Sequence, residues 1–133
     1  MVAYNFKRAF VDDITAGVKR QTIRLPRRRH ARPGEAVQLF TGMRTKYCRK
    51  IIADPVCVGV DEIIIDVRSS SHLIEINGIP LDLTSNDADL YAIGDGFGSQ
   101  KAPVRPIDFM LAWWRATHGA VLFSGVVIRW GSP

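Results

Sequence analysis

Two periodicities divide this chain. Residues 2–6 alternate apolar and polar positions and predict a first strand; in 8–16, Phe10 and Ile14 begin a four-residue apolar spacing that Val18 continues, which predicts a short helix. Gly17 suits the left-handed turn that ends such a helix. From there the period becomes two. Ile23 and Leu25 share one face of a predicted strand and Thr22 and Arg24 the other, so a hydroxyl and a guanidinium project together while Lys19 overhangs them from the turn. A helix, a glycine turn and a polar strand face of this kind suit an anion.

Alternation resumes over 35–41, with Val37 and Leu39 facing one way, and Gly42 breaks it. Residues 47–60 read as a long β-branched strand with Pro55 at a bulge or break, since proline cannot donate to a ladder. Residues 62–67 and 73–76 predict further strands, and Asn77-Gly78 between Ile76 and Ile79 marks a two-residue hairpin turn with positive φ at both positions. The pattern then becomes helical. Thr84 or Ser85 caps a helix running through Leu90 and Ile93 that Gly94 ends. Pro106 opens a second helix, with Ile107, Met110, Leu111 and Trp114 as its core stripe and Gly119 at its end. Residues 121–130 predict a closing strand. Neither an internal repeat nor βαβ alternation points to a doubly wound sheet, so an α+β chain of five to seven strands with short helices is expected.

At 133 residues and 47% hydrophobic content the chain suits one core, hence a single domain over 1–133. No apolar run approaches the roughly 20 residues of a bilayer span, and the first residues lack signal-peptide order, so a cytoplasmic protein without a membrane partner is expected. Cys48 and Cys57 are too few for a disulfide framework or a four-cysteine zinc set, and both read as small strand hydrophobes. His30, His72 and His118 stand far apart, so no metal and no cofactor is expected.

Charge changes the picture more than composition does. Of the 18 basic residues, 11 fall within 19–50: Lys19, Arg20, Arg24, Arg27, Arg28, Arg29, Arg32, Arg44, Lys46, Arg49 and Lys50. Only Glu35 opposes them. Residues 51–100 hold nine acids and a single base, Arg68. The net charge of +5 therefore divides into a basic face suited to phosphates and an acidic one, and RNA, or a nucleoside or nucleotide, becomes the expected partner. Within the basic region, 26–33 is too charged and too proline-bounded for a core element and reads as an exposed, mobile loop. Gly94-Asp95-Gly96-Phe97-Gly98 reads as a flexible mouth loop, whose Phe97 either stacks on a base or plugs the core.

The chain also resembles a family. Ile14-x-x-Gly17-x-Lys19-x-x-Thr22-Ile23-Arg24, followed by Pro33-Gly34-Glu35-x-Val37-x-Leu39, is similar to the opening of an ASCH domain, a relative of the PUA RNA-binding fold. Asp95-Gly96-Phe97, a helix with Trp113 and Trp114, and Phe123-x-Gly125-Val126-Val127-Ile128-x-Trp130 resemble its closing half. The resemblance implies a PUA-like small β-barrel with short helices at the barrel openings.

It also implies candidate chemistry. In members similar to 4-acetylcytidine amidohydrolase, the motif's lysine accepts a proton, its threonine is the nucleophile and a later glutamate donates a proton. Lys19 and Thr22 match those positions, and Asp95, one methylene shorter than glutamate, is the nearest counterpart of the third. On chemical grounds a lysine becomes such a base when burial or cationic neighbours, here Arg20 and Arg24, lower its pKa. Other members act as ribonucleases, a role for which Lys19, Arg24, Arg44, Lys46 and Tyr47 supply a base and phosphate-binding cations. Three readings stand: an RNA- or nucleotide-binding domain, an amidohydrolase and a ribonuclease. Lys19, Thr22 and Asp95 are the candidate catalytic residues; Arg20, Arg24, Arg27, Arg28, Arg29, Arg32, Arg44, Lys46, Tyr47 and Phe97 are the candidate nucleic-acid-binding residues.

Overall fold

A computed structural model describes residues 2–98 and 104–131 and is mixed α+β, with eight strands in two sheets. The smaller sheet has the order β1-β3-β4, where β1 is Val2–Phe6, β3 is Val37–Thr41 and β4 is Arg49–Lys50. β1 and β3 run parallel, with Tyr4 opposite Leu39. The larger sheet has the order β2-β8-β5-β6-β7, from β2 (Gln21–Arg24), β8 (Leu122–Trp130), β5 (Cys57–Asp66), β6 (Leu73–Ile76) and β7 (Ile79–Pro80). Its spine is the antiparallel β5–β8 pair, whose inward residues Ile63, Ile65, Phe123 and Val127 are buried.

The sheets are joined along one side and open along the other. On the joined side Ala36 bridges Val56, and Val37 N and Cys57 N donate to Pro55 O and Glu35 O at 2.8 Å each. On the open side, among the described residues, no ladder runs from β1 to β2. Arginine side chains span the gap instead: Arg24 Nη2 donates to Asn5 O at 2.6 Å and Arg27 Nη2 to Ala3 O at 3.4 Å. They satisfy carbonyls that an edge strand would otherwise leave open.

Three α-helices complete the described residues. The predicted first helix is a 3₁₀ turn, Arg8–Phe10, continued by α1, Val11–Thr15, and Gly17 follows at φ 75°. α2, Asn86–Ala92, is capped by Ser85, whose hydroxyl accepts from Ala88 N at 3.2 Å. α3, Pro106–His118, starts at the expected proline and ends at Gly119. α2 and α3 cover the larger sheet, burying Ala88, Ala92, Ile107, Met110 and Trp114 against Ile65, Ile74 and Val127. A second core lies under the smaller sheet, built from Tyr4, Phe6, Ile14, Leu39, Ile128 and Trp130. Full burial of each large aliphatic contributes about 1.5–3 kcal/mol, which makes these two layers the main source of stability.

Three expectations need correcting. The break expected between 60 and 62 is absent, and β5 runs straight through Asp61, because Arg129 on β8 donates to its carboxylate at 2.8 Å and Asn77 Nδ2 at 3.0 Å. An acid paired by its neighbours does not interrupt a ladder. The stretch 47–60 breaks around Pro55 as expected, but the part before it is a strand only at Arg49–Lys50. Cys57 is buried as expected, whereas Cys48 is exposed.

Gly125 on β8 sets how closely β2 can lie. A Cβ there would stand 2.4 Å from Arg24 O and 2.6 Å from the Phe123 ring. Gly125→Ala is therefore expected to cost about 1–3 kcal/mol through overpacking. The check is urea denaturation, in which the midpoint should fall with little change in slope.

Candidate functional site

The open seam between β1 and β2 widens into a cleft of about 700 Å³. Phe6 at the end of β1, Phe10, Phe97, Trp113 and Phe123 give it apolar walls, and Lys19, Thr22, Arg24 and Asp95 form a polar patch within it. The aromatic wall interlocks: Phe97 lies edge-on to Phe10 at 5.7 Å and tilted against Trp113 at 5.2 Å between centroids.

Local structure holds each polar side chain in place. After α1 the chain turns back on itself, with Val18 N and Lys19 N both donating to Asp13 O. Arg20 N then donates to Gly94 O at 2.9 Å and Trp130 N to Arg20 O at 3.0 Å, which fixes Lys19 between the strand end and the segment after α2. Lys19 is only 3% exposed, lies 4.9 Å above the Phe10 ring, and donates to the main-chain oxygen of Asp95 at 2.5 Å. Asp95 is equally buried, with Oδ1 3.7 Å from Lys19 Nζ and 3.4 Å from Gln21 Nε2.

Asp95 sits in a wide π-type turn, Ile93–Phe97, that continues α2 past Gly94. The glycine-rich segment is thus a helical turn where a mouth loop was expected, and Phe97 is a buried wall of the cleft. Gly96 makes the turn possible. Its φ is 102°, and a Cβ there would meet Phe10 at 2.8 Å and Lys19 Cδ at 2.9 Å.

Thr22 and Arg24 share a strand face as expected, and Arg24 Nε donates to Thr22 Oγ1 at 3.0 Å. The guanidinium packs over Phe6 and Tyr4, at 5.0 and 5.4 Å, so Arg24 is a wall of this cleft and not a free phosphate ligand. With its oxygen already accepting, the Thr22 hydroxyl keeps its own proton to give.

Burial dominates the electrostatics. It lowers the pKa of Lys19, aided by Arg24 and opposed by Asp95, and it raises the pKa of Asp95, opposed by Lys19. The two values are pushed toward each other. Two buried ionisable groups 3.7 Å apart titrate as a coupled pair, the kind of pair that acid–base chemistry can use.

The remaining basic candidates separate. The loop 26–33 is exposed for most of its length, as expected, and anchored at its centre: the neutral imidazole of His30 donates from Nε2 to Leu25 O and accepts from the Tyr4 hydroxyl at Nδ1, both at 2.9 Å, and Ala31 is buried. Arg27 stacks on Tyr4 at 4.6 Å, and Arg29 pairs with Glu35. Arg20 turns back to Gly17 O at 2.7 Å. Arg28 and Arg32 are exposed. Arg44, Lys46 and Tyr47 lie in the exposed loop before β4, away from Lys19, and Lys46 and Tyr47 line a different cleft. Sequence reasoning missed Gln21 as a partner of Asp95 and Phe6, Phe10 and Trp113 as the aromatic wall. Gln21 had a legible signal, as the one polar residue between Lys19 and Thr22 that is not a cation.

No family model, curated protein or solved structure matches the chain.

Removing one member of the buried pair orphans the other. Lys19→Met is expected to cost about 3–5 kcal/mol at pH 8, and adding Asp95→Asn should recover much of it. The sign with pH follows from Asp95. Its folded pKa is raised, so its charge costs stability above that pKa, and the cost disappears as pH falls through it. Lys19 is the main group holding that pKa down, so Lys19→Met raises it further, and the variant's deficit against wild type should be smaller at pH 5 than at pH 8 in denaturation curves.

Proposed function

We propose that the cleft binds a nucleoside, free or as part of RNA, and hydrolyses an acyl amide on its base, and that the chain is an ASCH domain whose PUA-like barrel is open between β1 and β2. The observation that carries this reading is the placement of Lys19, Thr22 and Asp95, all nine-tenths buried or more, on one aromatic-walled cleft. Planar apolar walls suit a base, and a strongly solvated phosphate would gain little there.

The chemistry follows from the polar patch. Thr22 Oγ1 attacks the acyl carbon and gives its proton to neutral Lys19, while Arg24 stabilises the charge that builds on oxygen. The C–N bond then breaks as the departing nitrogen takes the Asp95 proton. Water cleaves the resulting threonyl ester. Its proton returns to Asp95, Lys19 reprotonates Thr22, and the acid is released. The ribonuclease reading lacks comparable support, since Lys19 and Arg24 line one cleft whereas Lys46 and Tyr47 line another.

The productive state holds one proton on the Lys19–Asp95 pair, so kcat/KM for 4-acetylcytidine is expected to be bell-shaped in pH. Thr22→Ala should abolish release of cytidine and acetate, and Lys19→Met should slow it by roughly 10²–10⁴-fold or more. Asp95→Asn should be slower and should lose the alkaline limb, because the last proton of the pair is then gone. Wild type that binds the nucleoside but never releases cytidine would rule out the hydrolytic step.

A further inference from the structure

A second cleft, of about 600 Å³, opens beside the first, and Arg8, Lys46, Tyr47 and Arg49 line it. Most neighbouring cations are already committed to the protein: Arg20, Arg24 and Arg27 to main-chain oxygens, Arg29 to Glu35 and Lys50 to Asp54. The second cleft differs. Among the described residues no carboxylate lines it and none of its three cations forms an ion pair. Three uncompensated cations converging on one concavity select an anion.

The cleft is also built to keep its shape. Gly42 has φ 68°, and a Cβ there would stand 2.9 Å from Tyr47 O, so the turn closes only on glycine. Thr45 Oγ1 donates to Gly42 O at 2.6 Å and accepts from Tyr47 N at 3.1 Å, holding Tyr47 with 73% of its surface exposed and Lys46 Nζ 5.2 Å from its ring. A large aromatic left in water beside free cations is a stacking platform for a base.

Both clefts share a wall. Asn5, Phe6 and Lys7 line the first and Arg8 the second, and consecutive Cα atoms lie about 3.8 Å apart. Thr41 Oγ1 donates to Phe6 O and Met43 N to Asn5 Oδ1, both at 3.0 Å, tying the second cleft's loop to the first cleft's rim.

We propose that the second cleft is a single-stranded polynucleotide site: Arg8, Lys46 and Arg49 take phosphodiester groups, Tyr47 stacks a base, and the adjoining nucleotide is the one whose base enters the Lys19 cleft. The last clause rests on the function proposed above; the first two do not. The ligand class is an extended chain carrying both phosphates and exposed bases, which distinguishes it from an acidic peptide.

The test is fluorescence anisotropy with a labelled single-stranded cytidine hexanucleotide RNA over a series of salt concentrations. Arg8→Ala/Lys46→Ala/Arg49→Ala should bind at least tenfold more weakly and flatten the slope of log affinity against log salt by about 2, at about 0.7 for each phosphate that the variant no longer neutralises. Tyr47→Ala should also bind about tenfold more weakly but keep the wild-type slope. Circular dichroism melting at the wild-type temperature excludes unfolding, as all four side chains are exposed. Unchanged affinity and slope in the triple variant, no wild-type binding at low salt, or displacement of the RNA by polyglutamate at equal charge would each overturn the proposal. Hydrolysis of free 4-acetylcytidine by wild type reports on the first cleft alone, so RNA binding without that hydrolysis defeats the earlier reading, and the last clause with it, and leaves the phosphate and stacking site standing.

Discussion

A lysine and an aspartate withdrawn from water in one cleft set the terms for the surrounding structure. Neither charge is tolerable alone in such a place, and each makes the other's burial possible. To bring them together the chain needs a sharp return after α1, a strand that begins immediately afterwards, and a turn after α2 wide enough to deliver Asp95 and its carbonyl at once. Gly96 permits that turn, and Gln21 occupies the carboxylate oxygen that Lys19 approaches. The arrangement is held by backbone hydrogen bonds on three sides, which keeps the two ionisable groups at fixed separation.

The two-sheet architecture explains why the cleft exists. Backbone bridges join the sheets at Ala36 and Val56, and the opposite seam relies on side chains. A continuous ladder would have filled that seam. Arginines fill it partly, satisfying the carbonyls of β1 and leaving room for aromatic walls. Arg24 thereby does three things: it spans the seam, it packs over Phe6 and Tyr4, and it donates to Thr22. Its planar fork suits this in a way that a lysine's point charge would not.

Much of the basic surface is structural in the same sense. The run from Arg27 to Arg32 looks in one dimension like a phosphate-binding arm, yet Arg27 and Arg29 are spent on Tyr4, Ala3 and Glu35, and His30 anchors the loop to Tyr4. Charge density along a chain does not reveal which cations already have an acceptor. Three cations without an ion pair among the described residues, Arg8, Lys46 and Arg49, meet instead at the cleft beside the loop before β4, and Arg8 comes to it from a distant part of the chain.

Local signals carried the elements whose conformation depends on near neighbours. Strand alternation in 2–6 and 73–76, the Asn77-Gly78 turn, the Ser85 cap and the Pro106 start all act within a few residues, and each is where the sequence indicates. Sharing of a face by Thr22 and Arg24 was equally legible, because it follows from a period of two. What the sequence could not determine depended on partners far along the chain. The continuity of β5 through Asp61 required Arg129, 68 positions away, and the burial of Lys19 required Asp95, 76 positions away. Whether a charged side chain is solvated or buried is decided by what packs over it, and only the tertiary structure supplies that.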